Sequence, residues 1–191
     1  MRRISAGLVA GLLISALASS PGSAQQLSHH QGFWFGGGLA SALTDVSCNV
    51  CVDDSKSVAS GFLRAGFTLS PRLLLGLEII GTDNSEDGVN ERILGLSGVG
   101  FFYPTRGGLF FKGGLGILKF KADDDTDELT ATLLSMQVGA GYELNVSRRL
   151  SLAVFSTLVA TASGDLDYNG SRVTDDMNVT LIQFGLGVTV R

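Results

Sequence analysis

From Ile182 to Val190 the chain reads Ile-Gln-Phe-Gly-Leu-Gly-Val-Thr-Val, with an apolar residue at every second position and glycine, glutamine or threonine between. A period of two puts Ile182, Phe184, Leu186, Val188 and Val190 on one face only if the segment is a β-strand. The pattern recurs. Leu63, Ala65, Phe67 and Leu69 oppose Arg64, Gly66 and Thr68, and Leu109, Phe111, Leu115 and Ile117 oppose Lys112, Gly114 and Gly116. Leu134, Met136, Val138, Ala140, Tyr142 and Leu144 oppose Ser135, Gln137, Gly139, Gly141 and Glu143. The 26 glycines sit inside apolar stretches, which helices tolerate badly and close-packed or curved strands use.

Eight such segments are predicted as strands: 32–42, 57–69, 73–82, 92–103, 109–121, 129–144, 150–162 and 179–190. Short links (70–72, 104–108, 145–149) alternate with long polar ones (43–56, 83–91, 122–128, 163–178). Strict alternation of this kind is what an antiparallel meander gives when its two ends face different environments. Before the strands, Arg2-Arg3, the apolar run 4–18 and the small residues Gly22-Ser23-Ala24 have the layout of a secretory signal peptide cut after Ala24. The expected organisation is therefore a signal peptide at 1–24, a short periplasmic leader at 25–31 and one β-barrel domain at 32–191. Losing Arg2 and Arg3 takes the 14 basic side chains to 12 against 18 acidic, a formal charge of −6, which argues against nucleic acid as partner.

Alternation alone fits both a soluble sandwich, with oily faces inside, and a membrane barrel, with oily faces outside. Charge and ring placement favour the second. Of the 18 acids, all but Glu78 and Glu143 fall in, or at the edge of, the long polar links. Ten of the 15 aromatic residues lie near the short-turn end: Phe33, Trp34, Phe35, Phe67, Phe101, Phe102, Tyr103, Phe110, Phe111 and Tyr142. Rings gather at a bilayer interface because their amphipathic bodies suit the headgroup boundary. Strands of about nine to eleven residues cross the hydrocarbon layer, and lipid leaves no backbone group unpaired, so the sheet must close. The expected fold class is all-β: an eight-stranded antiparallel up-and-down transmembrane β-barrel, its interior small, polar and salt-bridged.

With segments such as "GFWFGGGLASAL", "GGLFFKGGLGILKF", "MQVGAGYEL" and "LIQFGLGVTVR", the chain from Gly32 to Arg191 resembles the small bacterial outer-membrane barrels of the OmpA/OmpX/OmpW-like group. The resemblance implies the bacterial outer membrane as location, and outer-membrane lipids and lipopolysaccharide as surroundings. It also implies the barrel-assembly machinery as a partner in biogenesis. The last segment looks like the signal which that machinery reads, although it ends in Arg191 where a terminal aromatic is usual.

The strand charges Arg64, Glu78 and Lys112, with Glu143 nearer the rim, are expected to form an internal ion-pair network, because a buried charge needs a partner. Such a network either plugs the lumen or lines a gated path. Phe33, Trp34, Phe35, Phe101, Phe102, Tyr103, Phe110, Phe111 and Tyr142 are expected at the membrane interface. Cys48 and Cys51 are expected to be a disulfide staple in the first long loop of an exported chain, with a metal or redox pair as the alternative. The acidic run Asp123–Glu128 lacks the glycine and distant glutamate of a calcium loop, and reads as a solvated tip, with weak calcium or magnesium binding at the lipopolysaccharide surface as the alternative. His29 and His30 precede the first strand, a poor position for a Ser/His/carboxylate site. No catalytic residue, metal site or cofactor is assigned. The expected role is non-enzymatic: display of acidic extracellular loops for envelope integrity or adhesion. The alternatives are a narrow channel for small or apolar solutes, a lipid-modifying barrel enzyme and a secreted β-sandwich.

Overall fold

A computed structural model describes residues 32–47, 54–86, 89–105, 107–123, 128–162, 164–168 and 171–191. The strands are β1 (Phe33–Ser47), β2 (Asp54–Ser70), β3 (Leu73–Glu86), β4 (Val89–Phe102), β5 (Leu109–Asp123), β6 (Glu128–Asn145), β7 (Leu150–Thr161), β8 (Gly164–Tyr168) and β9 (Ser171–Val190). From β1 to β7 each pairs antiparallel with the next, β7 pairs with β9, and β9 returns to β1 over Phe35↔Val190 through Ser47↔Asn178. The sheet is closed. The short β8 lies between the same neighbours as β7, pairing Leu129↔Tyr168 with β6 and Tyr168↔Ser171 with β9, so it continues β7 after a register irregularity. The wall is thus an eight-stranded antiparallel barrel. No helix among the described residues is long and apolar enough to cross a membrane, which says nothing against strands.

The tight turns all lie at the end that holds both Phe33 and Arg191. Pro71 and Arg72 sit between β2 and β3, and Tyr103 N–H donates back to the Arg72 carbonyl at 2.9 Å. Gly108 has φ +89°, a conformation that L side chains rarely adopt, and its carbonyl accepts from Glu143 N–H at 2.8 Å. In the third turn Val146 and Ser147 N–H both donate to the Leu150 carbonyl, while Ser147 Oγ accepts from Leu150 N–H at 3.1 Å.

All eight predicted strands are present, yet at the opposite end they run well beyond the predicted bounds. β1 continues past Ala42 to Ser47, β3 past Thr82 to Glu86, and β9 begins at Ser171 rather than Val179. Much of the four long polar links is therefore barrel wall, not loop. The reason is that backbone N–H and C=O groups need partners whatever the side chains are. The turn from apolar to polar sequence marks where the medium changes, not where the ladder stops.

The outer surface is the apolar one. Phe33 is 81% exposed, Leu39 76%, Leu115 70% and Leu186 65%, and Leu63, Leu77, Leu134 and Phe184 are exposed alongside them. Among the described residues no second layer of protein covers Phe184, Leu186 or Val188. That inversion is the one expected of a barrel standing in lipid. The interior differs from expectation, because it is not uniformly small and polar. Two buried apolar clusters fill it, one around Trp34, Phe101 and Phe110, the other around Phe62, Ile80, Ile93, Leu118, Phe120, Leu133 and Leu181. At eight strands the bore is narrow enough to be packed by side chains. Glycines make room for the large ones: a Cβ at Gly66 or Gly76 would meet the Trp34 ring, one at Gly141 the Phe110 ring, and one at Gly187 the Phe62 ring.

Candidate functional site

The polar groups of the lumen form two separate layers instead of the one four-residue network expected. In the middle, Lys112 Nζ donates to Glu78 Oε1 at 2.8 Å, both side chains being buried. Arg64 stands directly opposite Glu78 in the β2–β3 register, but its guanidinium turns aside. Its Nη2 donates to Thr189 Oγ1 at 3.1 Å, and its Cζ lies 4.8 Å from the Phe101 ring centroid and 5.2 Å from that of Phe62. A planar cation between two rings gains from both faces. Gln183 Nε2 donates to Ser60 Oγ at 2.6 Å in the same layer. The void left among Arg64, Glu78, Lys112, Thr157 and Gln183 is about 10 Å³, room for about one water.

Glu143 belongs to the second layer, at the short-turn rim. It accepts from Tyr103 Oη at 2.5 Å and pairs with Arg191 Nη2 at 2.6 Å. Arg191 Nη1 also donates to Ser151 Oγ at 2.8 Å, and its backbone N–H to the Arg149 carbonyl at 3.0 Å, so the chain's last residue is tied into the rim. Between the layers lies an aromatic stack in which Trp34 meets Phe101 edge-on (5.5 Å, 86°), Phe101 meets Phe110 at 5.8 Å, and Tyr103 meets Phe110 at 5.7 Å. Above the middle layer Phe62 and Phe155 meet edge-on at 5.1 Å. Edge-to-face pairs of this spacing add to the burial they bring.

The nine expected interface aromatics divide by alternation. Phe33, Phe35, Phe102 and Phe111 are exposed on the outer wall near the short turns, and Tyr142 is half-buried against the Gly108 turn. Trp34, Phe101, Tyr103 and Phe110 point inward and are buried, which corrects their assignment to the interface. Successive side chains of a strand face opposite sides, so a ring next to an outward ring must enter the lumen. Cys48, Cys51, His29 and His30 lie outside the described residues, as do Asp124, Asp125 and Asp127 of the acidic run. No cluster of metal-ligating side chains occurs among the described residues.

The family model described as "Outer membrane protein beta-barrel domain" matches residues 10–189. The chain belongs to that family of outer-membrane β-barrels. Its place is the bacterial outer membrane. No curated protein matches it in sequence. Neisserial surface protein A has a similar structure, with a TM-score of 0.64 at 16% identity, covering 83% of this chain and 96% of that one. The attachment invasion locus protein Ail of Yersinia pestis gives 0.56 at 14% identity, covering 83% of this chain and 99% of that one. At such identities the likeness is one of fold.

Within this outer-membrane barrel, Arg191, Tyr103 and Trp34 are lumen residues that the reading of the sequence passed over, whereas Gln137 is on the inward face expected of it. The signal for the three was parity. Arg191 follows Gln183 and Thr189 in odd-numbered step, and Trp34 stands between two outward rings. Gln137 is buried beside Gly114 with neither amide atom hydrogen-bonded, and the Trp34 Nε1 is in the same condition.

Proposed function

We propose that this outer-membrane barrel is a closed, non-enzymatic cylinder whose work is done at the cell surface, in envelope integrity or attachment, by the polar hairpins that prolong its strands. The observation that carries this reading is the filled lumen. Ring-on-ring stacking, the Lys112–Glu78 pair and the upper apolar cluster leave a void of only about 10 Å³ in the middle layer. Its ionisable groups are engaged with one another and with neighbouring rings and hydroxyls, which supports a mechanical role over a transport path. The packed upper cluster counts in the same direction against a route for apolar solutes.

The end that holds Phe33, Arg191 and the short turns faces the periplasm, and the hairpins face outward. Residues 1–24 direct export and are removed, 25–31 form the leader, and Cys48 and Cys51 staple the first hairpin tip. The sequence of the hairpins is acidic, with Asp53, Asp54, Asp87, Asp124, Asp125 and Asp127 at or near the tips. A negative surface of this kind fits a basic partner and repels a polyanion. A relative in fold, the attachment invasion locus protein, bears an attachment role in its name.

Purified full-length mature protein in planar bilayers tests the closed lumen. The expected record is flat. Discrete, reproducible single-channel openings would overturn it in favour of a narrow pore.

A further inference from the structure

The lumen does not balance its charge. Among the described residues its buried cations are Arg64, Lys112 and the Arg191 side chain, and its buried carboxylates are Glu78 and Glu143. Arg191 is matched by Glu143 at the rim, so the surplus falls on the middle layer, where Arg64 and Lys112 have only Glu78 between them. Lys112 takes that carboxylate at 2.8 Å. Arg64 makes no ion pair among the described residues. Its Nη2 goes to Thr189 Oγ1, its Cζ lies over the Phe62 and Phe101 rings, and its Nε is buried with no hydrogen-bond partner. Ring faces offset part of a cation's cost. A net charge in a dry interior nevertheless stays expensive until a counter-ion joins it.

The residues that carry the surplus also enclose the void of about 10 Å³, together with Thr157, Gln183 and three phenylalanine rings. Hydrogen-bond donors are in excess along that lining. Lysine has three N–H donors, of which Lys112 gives one to Glu78, and the Nε of Arg64 gives none. Gln183 Nε2 carries a second hydrogen besides the one it gives Ser60. The single carboxylate of the lining is the one already engaged by Lys112.

We propose that this void is a binding site for one small monovalent anion, chloride in a saline medium, held between Arg64 and Lys112 and enclosed as the barrel forms. The sign of the ligand follows from the unmatched cation and the spare donors. Its size follows from the space: a halide is little larger than the single water the void admits, whereas sulfate, phosphate or an organic carboxylate is too large. Seated there, the ion makes the middle layer neutral and completes the packing between the lower aromatic stack and the upper apolar cluster. The inference goes beyond the closed-cylinder reading and does not depend on which end of the barrel faces outward.

The test refolds the full mature chain in zwitterionic micelles, in chloride–gluconate mixtures of constant ionic strength. Screening is then fixed and only the small anion varies. Refolding in each mixture lets a closed barrel take up the ion, and urea unfolding followed by circular dichroism gives the unfolding equilibrium constant. For one bound ion, each tenfold rise in chloride should lower that constant by a factor approaching about ten. Arg64→Met is expected to cut the response to less than about twofold, and Arg64→Lys, which keeps the charge, to retain part of it. Arg72→Gln removes an exposed turn cation and should respond like the wild type. A wild type indifferent to chloride overturns the proposal, as does a folded Arg64→Met as responsive as the wild type. Crystals of the wild type grown from bromide give a reading that needs no variant. An anomalous peak between Arg64 and Lys112 is expected, and a water there without anomalous signal overturns the assignment. A barrel that conducts in planar bilayers yet keeps an Arg64-dependent chloride response sinks the closed-lumen reading and spares this one. A silent barrel indifferent to chloride does the reverse.

Discussion

The buried pair Lys112 with Glu78 carries a large stake in the stability of the lumen. Removing one member of such a pair strands the other in a dry interior, at a cost of about 3–5 kcal/mol. Glu78→Ala is therefore expected to lower the unfolding free energy in micelles by about that amount, whereas Glu78→Gln with Lys112→Met recovers most of it. Trp34, the sole tryptophan and buried in the lower stack, supplies the fluorescence readout for urea titration. Gln137 should behave in the opposite sense. Its two amide atoms are buried and unpaired, so Gln137→Met is expected to raise stability by about 1 kcal/mol, and a loss of that size in the same titration would refute this account of the site. At this scale the sequence was legible for identity and poor for partnership. A charge inside an alternating strand stands out, so Arg64, Glu78, Lys112 and Glu143 were found. Which carboxylate meets which cation depends on the relative register of strands far apart in sequence. That is why Glu143 turns out to answer Arg191 and Tyr103 instead of Arg64 or Lys112.

Among the strands, glycine acts differently on the two faces of the same sheet. Gly66 faces inward under Trp34, while Gly113 faces outward where an added Cβ meets nothing within 4 Å. Gly66→Val is expected to abolish the heat-modifiable folded band on cold electrophoresis, because the ring and the Leu75 backbone leave no space. Gly113→Val should keep that band, and β-branched residues suit an exposed strand face. Equal behaviour of the two variants would remove the lumen-packing account. The number of strands and their short turns were readable because period two and the proline- and glycine-bearing links are local signals. Strand ends at the hairpin side were not, since β1 and β9 stay paired through Thr44, Asp45 and Asn178, where polar side chains conceal a continuing ladder. The rings were misplaced for a related reason. Distance from a turn sets height along the wall, whereas parity sets inside or outside, and only both together locate Phe101 against Phe102.

Over the whole molecule, the inside-out distribution of apolar surface was the part most fully legible. It needs only the sign of each face and the end at which acids and rings collect. What the interior contains was not legible, because a bore lined by glycine can as easily be wet as stacked with Trp34, Phe62 and Phe110. The final strand pairs on both edges, with β7 from Leu150↔Val190 and with β1 from Phe35↔Val190, and it brings Gln183, Thr189 and Arg191 into the lumen. Deleting residues 178–191 would leave two open edges in lipid, where each bare amide costs several kcal/mol. No heat-modifiable monomer is then expected in the outer-membrane fraction, and a protected, trypsin-resistant barrel from that deletion would count against the closure. The seam also carries a lesson in timing. Its two lips, β1 and β9, have every other strand of the wall between them in sequence, so they can meet only after those strands have been laid down. Until that pairing forms, both lips hold bare amides against lipid, so the cylinder is made whole or not at all.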